Sequence, residues 1–354
     1  MLRANTLLMK IAIVGLGVAG GYLAARLARE TEHEVYGFDA LSSVETRCAW
    51  GASKHELGAI VKALDINFED FVLFEGKRIK VIYPDSYEST IPLVGLVTFD
   101  KDALEREFLR LAKEAGAKLQ LGKRVSLNEL SSFELVVDAT GVYRAILPKI
   151  KEDMIMPNLE YRVQYDEMPF DDFTIFPYSK LGGYTWFFPL GSGMAHVGGG
   201  DKFHRQREFV ESFMQKHNGK KLKTIARPIR IMPFEHAQPI FLKRENQIVV
   251  GAGESIGCVF PLLGEGIIPS LQCAQLLFEN ITQKMGLDEY VNALKNKFFY
   301  FEPIFKIIIA KWSGRWSEAL KAHLIPSYIR VKRMEKRFGF KIRMRDLLDV
   351  FNRT

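Results

Sequence analysis

The sequence predicts a mixed α/β fold, and three features of the 354-residue chain lead to this prediction. The stretch Lys10–Phe38 has the order strand, glycine-rich turn, helix, strand, which is typical of a βαβ unit of about 30 residues. Short apolar runs at Leu135–Asp138 and Ile248–Val250 predict further buried strands of the same sheet. Residues 159–200 instead contain strands interrupted by Pro and Gly, which indicates a separate antiparallel layer.

The first strand ends at a glycine motif, Gly15-Leu16-Gly17-Val18-Ala19-Gly20, which reads GxGxxG. The motif precedes a predicted helix over Tyr22–Glu30. In a dinucleotide site Gly15 would make the tight turn, Gly17 would let a pyrophosphate approach the main chain, and Gly20 would let helix and strand pack closely. The helix N-terminus would then direct free N–H groups at the phosphates. The motif therefore predicts a Rossmann-like dinucleotide site.

The second strand, Glu34–Phe38, ends at Asp39, which lies 19 residues after Gly20. A carboxylate at this place would accept hydrogen bonds from ribose hydroxyls. These features do not distinguish NAD from FAD.

Later segments supply the remaining predicted elements. Lys101–Gly116 has apolar residues at helical spacing, and Gly266–Gln283 also predicts a helix. The strand Leu135–Asp138 is closed by Ala139-Thr140-Gly141. After Leu287 the pattern is mostly helical. The strand segments at the start, in the middle and near residue 250 predict that the domains are interleaved along the chain.

The net charge of +7 is concentrated in a basic tail. The segment Tyr328–Thr354 holds nine basic residues and three acidic ones, so the rest of the chain is close to neutral. A basic body that binds nucleic acid is therefore not indicated. The tail mixes these charges with apolar residues, which favours an amphipathic element on an anionic membrane surface, although a solvated helix or one docked on an acidic face fits as well.

Cysteine usage and hydropathy predict a cytoplasmic protein. The three cysteines, Cys48, Cys258 and Cys273, form no CxxC pair and no disulfide framework. The apolar stretch Ile11–Ala25 is too short to span a bilayer, and Phe298–Trp312 is interrupted by charges and a proline. The seven histidines show no spacing typical of a metal site. With the basic tail, this predicts a cytoplasmic location, with peripheral docking on the inner membrane face as a further prediction.

Four segments together resemble the geranylgeranyl reductases, which are FAD-dependent flavoproteins built like aromatic hydroxylases. Val136-Val137-Asp138-Ala139-Thr140-Gly141 resembles the ATG segment of that group. Gly253-Glu254 and the turn Pro261–Ile267 resemble its second flavin motif. Tyr184-Thr185-Trp186-Phe187-Phe188-Pro189 resembles the YxWxFP signature, and Arg47-Cys48-Ala49-Trp50-Gly51 stands where the family has a cysteine turn beside the flavin. The resemblance covers residues 10 to about 285.

The resemblance implies FAD as the cofactor and assigns residues to it. Lys101 stands where the family usually has Arg, and Glu254 stands where it usually has Asp. Cys48 is implied as a thiol near the flavin and as a tentative catalytic residue, against the simpler interpretation of a small buried side chain. The implied cofactor-binding residues are Gly15, Gly17, Ala19, Gly20, Asp39, Cys48, Ala49, Gly51, Lys101, Val125, Ala139, Gly141, Glu254, Gly266 and Ile267.

The implied activity is reduction of C=C bonds in a geranylgeranyl or polyprenyl lipid by hydride from reduced flavin, with no metal. Alternate residues of a strand point to one face, so Tyr184, Trp186 and Phe188 are predicted to form an aromatic wall, with Pro189 as a further substrate residue. The same residues are also compatible with ordinary sheet core. The electron donor stays open between NAD(P)H and a small redox protein, because a second GxGxxG is not evident.

Two other functions remain open on the same residues. One is a flavin-dependent hydroxylase or a carotenoid-type cyclase. The other is a flavin-free carrier of prenylated partners, which the departures at Lys101 and Glu254 allow. The predicted domains are an FAD-binding domain (1–55, 98–150 and 246–285), a substrate domain (56–97 and 151–245) and a helical C-terminal region (286–354).

Overall fold

The computed structural model describes residues 8–45, 48–315, 328–329 and 331–354. Arg47 of the cysteine turn and Arg330 of the basic tail lie outside these residues. The chain divides into two compact units. Unit 1 comprises Met1–Thr46, Asp102–Met154 and Arg230–Phe299, and unit 2 comprises Arg47–Lys101, Ile155–Ile229 and Tyr300–Thr354.

The secondary structure follows the chain as alternating short strands and helices. The strands are β1 (Lys10–Val14), β2 (Glu34–Phe38), β3 (Gly51–Ser53), β4 (Val72–Glu75), β5 (Arg78–Ile82), β6 (Glu88–Pro92), β7 (Leu96–Phe99), β8 (Lys118–Gln120), β9 (Leu135–Asp138), β10 (Ile155–Met156), β11 (Asn158–Gln164), β12 (Phe173–Pro177), β13 (Gly183–Gly191), β14 (Met194–Asp201), β15 (Lys220–Ile225), β16 (Ile229–Arg230), β17 (Phe241–Arg244) and β18 (Gln247–Gly251). The helices are α1 (Val18–Glu30), α2 (Lys54–Val61), α3 (Lys101–Glu114), α4 (Gln206–His217), α5 (Ile267–Thr282), α6 (Leu287–Lys297), α7 (Phe301–Trp312), α8 (Glu335–Phe338) and α9 (Met344–Arg353).

Unit 1 is built on a six-stranded sheet in the order β17-β18-β9-β1-β2-β8. All neighbouring strands are parallel except β17, which pairs with β18 in an antiparallel way. The central strands β1 and β9 are apolar and buried because helices cover a parallel sheet on both faces. Helix α1 buries Tyr22, Leu23 and Leu27, and the Tyr22 ring meets Phe108 of α3 edge to face at 5.7 Å.

Unit 2 contains a seven-stranded sheet in the order β15-β11-β14-β13-β12-β5-β6 and a three-stranded sheet in the order β3-β7-β4. The large sheet is antiparallel except where β12 runs parallel to β5. One face of this sheet, with Tyr161, Phe187 and Val197, packs against Val210 and Phe213 of α4 and forms an apolar core. The opposite face carries the side chains described below.

The predicted fold class is confirmed: the chain combines a parallel sheet with helices and a separate antiparallel sheet. Strands β1, β2 and β9 have the predicted bounds. Helix α1 begins at Val18, four residues before the predicted start at Tyr22, because the glycines at 20 and 21 belong to its first turns. Within the described residues, no helix is long and apolar enough to cross a membrane.

The described part of the basic tail is packed within unit 2. Val331, Phe338, Ile342 and Phe351 are buried, so these apolar side chains are occupied by internal packing. Phe340 forms an antiparallel bridge with Leu93. The described part of the tail therefore belongs to the fold of unit 2, and membrane docking by the tail stays a prediction.

Candidate functional site

The first candidate site is the glycine turn of unit 1, residues Gly15–Gly20, between β1 and α1. Gly15 has φ of +89°, and its N–H donates to Phe38 O at 2.8 Å. A Cβ on Gly20 would lie 1.8 Å from Gly15 O. The protein's own packing therefore requires glycine at both of these positions.

Gly17 differs from the other two glycines because little protein surrounds it. The nearest atom to a Cβ built on Gly17 would be Glu105 Oε1, at 3.9 Å. Gly17 is also the N-cap of α1, whose first turn holds no acidic residue and no side-chain cap. The free N–H groups and the positive end of the helix dipole at this point favour an anion such as a phosphate.

Asp39 follows β2 and closes the glycine turn from the other side. Its Oδ2 accepts from the Leu16 N–H at 2.7 Å, and its Oδ1 accepts from the Leu41 N–H at 2.8 Å. The main chain of Lys123 donates to Asp39 O at 2.7 Å, which brings the loop containing half-buried Val125 beside it. Each carboxylate oxygen keeps a second lone pair, so the arrangement remains compatible with ribose hydroxyls.

The segment Ala139–Gly141 lies against the glycine turn. A Cβ on Gly15 would meet Ala139 O at 2.4 Å, and the Ala139 N–H donates to Val14 O at 2.8 Å. The segment is held in place by Asp138, a fully buried carboxylate that accepts from the Thr140 hydroxyl at 2.6 Å and from the N–H of Ile146 and Leu147 at 2.9 and 2.8 Å. Asp138 is not among the site residues predicted from the sequence.

Glu254 is held on the main chain of unit 1. Its Oε1 accepts from the Arg230 N–H at 2.9 Å, and the Arg230 guanidinium donates to Glu254 O at 2.7 Å. Arg230 is buried and is paired with Asp153 in a bidentate way, at 2.9 and 2.7 Å. Arg230 is a second residue that sequence reasoning missed, because nothing in its local pattern marks it as buried.

The second flavin-like motif, which includes Gly253, packs closely against the glycine turn at Gly15–Gly20. A Cβ on Gly253 would lie 3.1 Å from Ala19 Cβ, so α1 and the segment at 253 approach closely. Gly266 is the N-cap of α5, which begins at buried Ile267 and has no acidic residue in its first turn. The positive end of a second helix dipole is therefore available for negative charge.

The second candidate site is one face of the large sheet in unit 2, which we call the polar face. The register pairs Trp186 with Gly198 and Gly198 with Glu160, and it pairs Phe188 with His196 and His196 with Arg162. Paired residues and alternate residues of a strand share a face. The polar face therefore consists of Tyr184, Trp186, Phe188, Glu160, Arg162 and His196.

A buried hydrogen-bonded group lies at the centre of the polar face. Glu160 Oε1 contacts His196 Nδ1 at 2.5 Å, and Glu160 Oε2 accepts from Trp186 Nε1 at 3.2 Å. Glu160 is 3% exposed and His196 is 0% exposed. Among the residues that the structure describes, His196 Nε2 has no hydrogen-bond partner although it is buried. A buried polar atom without a partner costs free energy, so it calls for an explanation.

The segment after Cys48 covers part of this face. The centres of the Trp50 and His196 rings lie 4.8 Å apart. The guanidinium carbon of Arg162, Cζ, lies 4.2 Å from the centre of the Trp50 ring. A Cβ on Gly51 would lie 3.0 Å from Phe188 Cε2. Cys48 and Ala49 are half-buried. Unit 2 thus brings the cysteine segment and the predicted aromatic wall together.

Pro189 and Lys101 are placed differently from these residues. Pro189 pairs with Ala195, on the face of Phe187, and its carbonyl accepts from the Thr98 hydroxyl at 2.5 Å. Its side chain is thus not part of the polar face. Lys101 is the first residue of α3 and is 7% exposed.

Within the described chain, no cluster of His, Cys, Asp or Glu residues is suited to a metal ion.

Comparisons with known proteins agree with this architecture. No protein-family model matches the chain. A protein of Methanocaldococcus jannaschii without a functional name is 22% identical over 322 residues, which cover 81% of this chain and 87% of the relative. A digeranylgeranylglycerophospholipid reductase of Methanoculleus marisnigri is 25% identical over 299 residues, which cover 73% of this chain and 72% of the relative.

Solved structures share the fold across nearly the whole chain. A geranylgeranyl bacteriochlorophyll reductase-like protein of Thermoplasma acidophilum matches with a TM-score of 0.68 and 18% identity, covering 97% of this chain and 95% of the other. A triple mutant of a flavin-dependent brominase matches at 0.65 and 14% identity, covering 98% and 100%. A probable FAD-dependent monooxygenase of Pseudomonas aeruginosa matches at 0.62 and 14% identity, covering 88% and 99%.

These similarities confirm two sequence-based predictions. The resemblance to geranylgeranyl reductase-like flavoproteins is confirmed by the reductase relative and by the reductase-like structure. The chain has the fold of FAD-dependent oxidoreductases, a fold that also serves monooxygenases and halogenases. A shared fold does not choose among these reactions, which depend on the residues of the site.

Proposed function

We propose that this protein is an FAD-dependent oxidoreductase that reduces C=C bonds of a geranylgeranyl or polyprenyl lipid. The observation that carries the proposal is the polar face of unit 2, where an aromatic row adjoins a buried Glu160–His196 pair. An apolar chain with isolated double bonds needs an aromatic surface to lie on, and its reduction needs a proton as well as a hydride. The relative named as a digeranylgeranylglycerophospholipid reductase supports the substrate class.

The residues of unit 1 fit FAD. The space above Gly17, which a Cβ would enter with its nearest contact at 3.9 Å, suits a pyrophosphate at the N-terminus of α1. Gly266 would offer the N-terminus of α5 to the flavin ring, Asp39 would receive the ribose, and Glu254 would receive the ribityl chain. When bound and reduced, FAD supplies the hydride.

The polar face would position the lipid and hold the proton. Tyr184 and Trp186, whose rings meet at 5.8 Å, and Phe188 would contact the apolar chain. Glu160 holds the His196 ring through Nδ1, so Nε2, which has no partner among the described residues, would be the ring atom that takes up and gives the proton. The half-buried Cys48 thiol, two residues before Trp50, whose ring lies 4.8 Å from the His196 ring, would be a further catalytic residue.

Two further aspects belong to the proposal. The electron donor would be NAD(P)H or a small redox protein. The protein would work in the cytoplasm and reach its lipid at the inner face of the membrane, where the basic tail would contribute attraction of about 1 kcal/mol for each Lys or Arg near the surface.

The test is anaerobic incubation of the purified protein, FAD and a chemical reductant with a geranylgeranyl glycerophospholipid, followed by mass spectrometry. We expect the product to gain two hydrogens for each reduced double bond. A product that gains oxygen in air and no hydrogen under anaerobic conditions would favour the hydroxylase alternative. Protein that stays colourless after addition of FAD would favour the carrier alternative and contradict the proposal.

A further inference from the structure

Unit 2 contains a cavity whose lining includes none of the residues of the polar face. It has a volume of about 780 Å³ and is lined by residues of α2, the β4–β5 and β6–β7 connections and the segment 332–341. This volume is within the range of small-molecule sites, which is about 300–1,000 Å³. The cavity therefore has room for a ligand of a few groups, such as a diphosphate or a lipid headgroup.

The lining is strongly basic. Its cations are Lys77, Lys332, Arg333, Lys336 and Lys341, and its carboxylates are Glu75 and Glu335, which leaves a formal surplus of three positive charges. His55 adds an imidazole to the lining. We call this cavity, with these eight residues, the basic cavity.

Both carboxylates of the basic cavity are already engaged. Glu335 accepts from Lys332 at 2.6 Å and from the Ile342 N–H at 2.7 Å, and it lies 3.5 Å from Lys341. Glu75 pairs with Lys54, outside the lining, at 2.7 Å. In the part of the chain that the structure describes, Lys77, Arg333 and Lys336 form no ion pair. Three cations therefore face one cavity without a carboxylate of their own.

The main chain that carries these cations is held in place. The Lys341 N–H donates to Pro92 O and the Val94 N–H donates to Gly339 O, both at 2.8 Å. The Ser53 hydroxyl donates to Lys336 O at 2.5 Å. At Gly95, φ is +88° and a Cβ would lie 2.9 Å from the His55 ring, so glycine lets the imidazole lie against the cavity wall. The cations thus project from positions set by hydrogen bonds.

We propose that the basic cavity binds a phosphate-bearing ligand through Lys77, Arg333 and Lys336. Lysine and arginine are the side chains that bind phosphate oxygens most strongly, and arginine does so in a bidentate way. A long nucleic acid is not the ligand that this arrangement fits, since the cations converge on one cavity instead of following an extended groove. The phosphate belongs either to a lipid headgroup or to a free diphosphate.

This inference does not depend on the flavin chemistry of the proposed function. It gives the basic tail a specific role: Arg333, Lys336 and Lys341 act at one cavity within unit 2. If the ligand is a lipid headgroup, the same residues would also hold a prenyl phospholipid by its phosphate. Prenyl reduction is measured by mass spectrometry and phosphate binding by titration or sedimentation, so failure of the proposed function can be distinguished from failure of this inference.

The experiment measures phosphate binding to the full chain with FAD present, in two arms. Isothermal titration calorimetry with inorganic pyrophosphate tests the free ligand, at low ionic strength because salt screens exposed charges. Co-sedimentation with phosphatidic acid vesicles, compared with phosphatidylcholine vesicles, tests the headgroup. Binding in the first arm alone assigns the site to a soluble diphosphate, and binding in the second alone assigns it to a lipid.

The decisive variant combines Lys77→Ala, Arg333→Ala and Lys336→Ala, which are exposed positions. We expect binding in at least one arm to weaken about tenfold or more. The matched control combines Lys113→Ala, Lys151→Ala and Lys295→Ala, which removes the same charge from exposed positions of unit 1. Thermal denaturation checks that both variants fold, and Arg333→Ala alone provides a milder variant.

Two results would overturn the proposal. One is that the wild-type protein binds neither pyrophosphate nor phosphatidic acid vesicles. The other is that the cavity variant and the control variant lose binding equally, because the attraction would then come from net charge and not from the cavity.

Discussion

The glycine turn of unit 1 and the polar face of unit 2 present two different kinds of surface. In the glycine turn, the atoms that would meet a ligand belong to the main chain at Gly17 and to the first turn of α1. On the polar face, they belong to the side chains of Glu160, Trp186 and His196, which come from three strands. The first surface is open because glycine has no Cβ, and the second is formed because strand pairing brings the three side chains together.

This difference determines how each surface should respond to mutation. A main-chain surface tolerates changes in its surroundings but fails when a Cβ enters it. A side-chain surface tolerates small changes in volume but fails when one hydrogen-bonded member is replaced, because the others are left buried without partners. The following predictions test that contrast, beginning with the largest expected effect.

The largest effect is expected at Gly20. In Gly20→Ala the new Cβ would lie 1.8 Å from Gly15 O, so α1 and β1 would have to move apart. We expect the free energy of unfolding to fall by about 3 kcal/mol, measured by chemical denaturation.

Gly17→Ala is the matched control for this prediction. Its Cβ would come no closer to the described protein than 3.9 Å, so we expect stability to change by less than about 1 kcal/mol while FAD binding, followed by flavin absorbance, is lost. If Gly17→Ala keeps FAD with wild-type affinity, the space above Gly17 does not receive the pyrophosphate.

A smaller effect is expected at the polar face from Glu160→Gln. The amide cannot accept from both His196 and Trp186, so one of these buried groups loses its acceptor. We expect a loss of about 2 kcal/mol in stability and a lower kcat for prenyl reduction, with FAD binding retained.

The control is Glu211→Gln in the same unit, where the carboxylate pairs with partly exposed Lys221 and also accepts from the Tyr161 hydroxyl, a bond that an amide oxygen can keep. It should cost less than about 1 kcal/mol. Equal effects of the two substitutions on kcat would contradict a specific role for Glu160.

The glycine turn could be predicted from sequence because its parts are contiguous. Gly15, Gly17 and Gly20 lie within six residues, and the strand before them and the helix after them have clear hydrophobic patterns. The strand bounds at β1, β2 and β9 agree with the prediction for the same reason. Each of these features depends on residues that are close in the chain.

The buried group of the polar face could not be predicted in this way. Glu160 and His196 are 36 residues apart, and only the pairing of β11 with β14 brings them together. A charged residue in a strand usually faces solvent, so Glu160 gives no local signal of burial. Asp138 and Arg230 escaped notice for the same physical reason, since their partners come from loops and distant segments.

The smallest effect is expected at Gly51, where both kinds of surface meet, because this glycine lies against Phe188 of the polar face. In Gly51→Ala the Cβ would lie 3.0 Å from Phe188 Cε2, so the ring must shift by a few tenths of an ångström. We expect a cost of about 1 kcal/mol and a higher KM for the prenyl lipid, with FAD binding unchanged. The control Gly58→Ala, in α2 of the same unit, places its Cβ 3.6 Å from Phe68 Cβ and should be neutral or stabilising. An unchanged KM in Gly51→Ala would mean that Phe188 does not contact the lipid, and the aromatic row would then be sheet core alone.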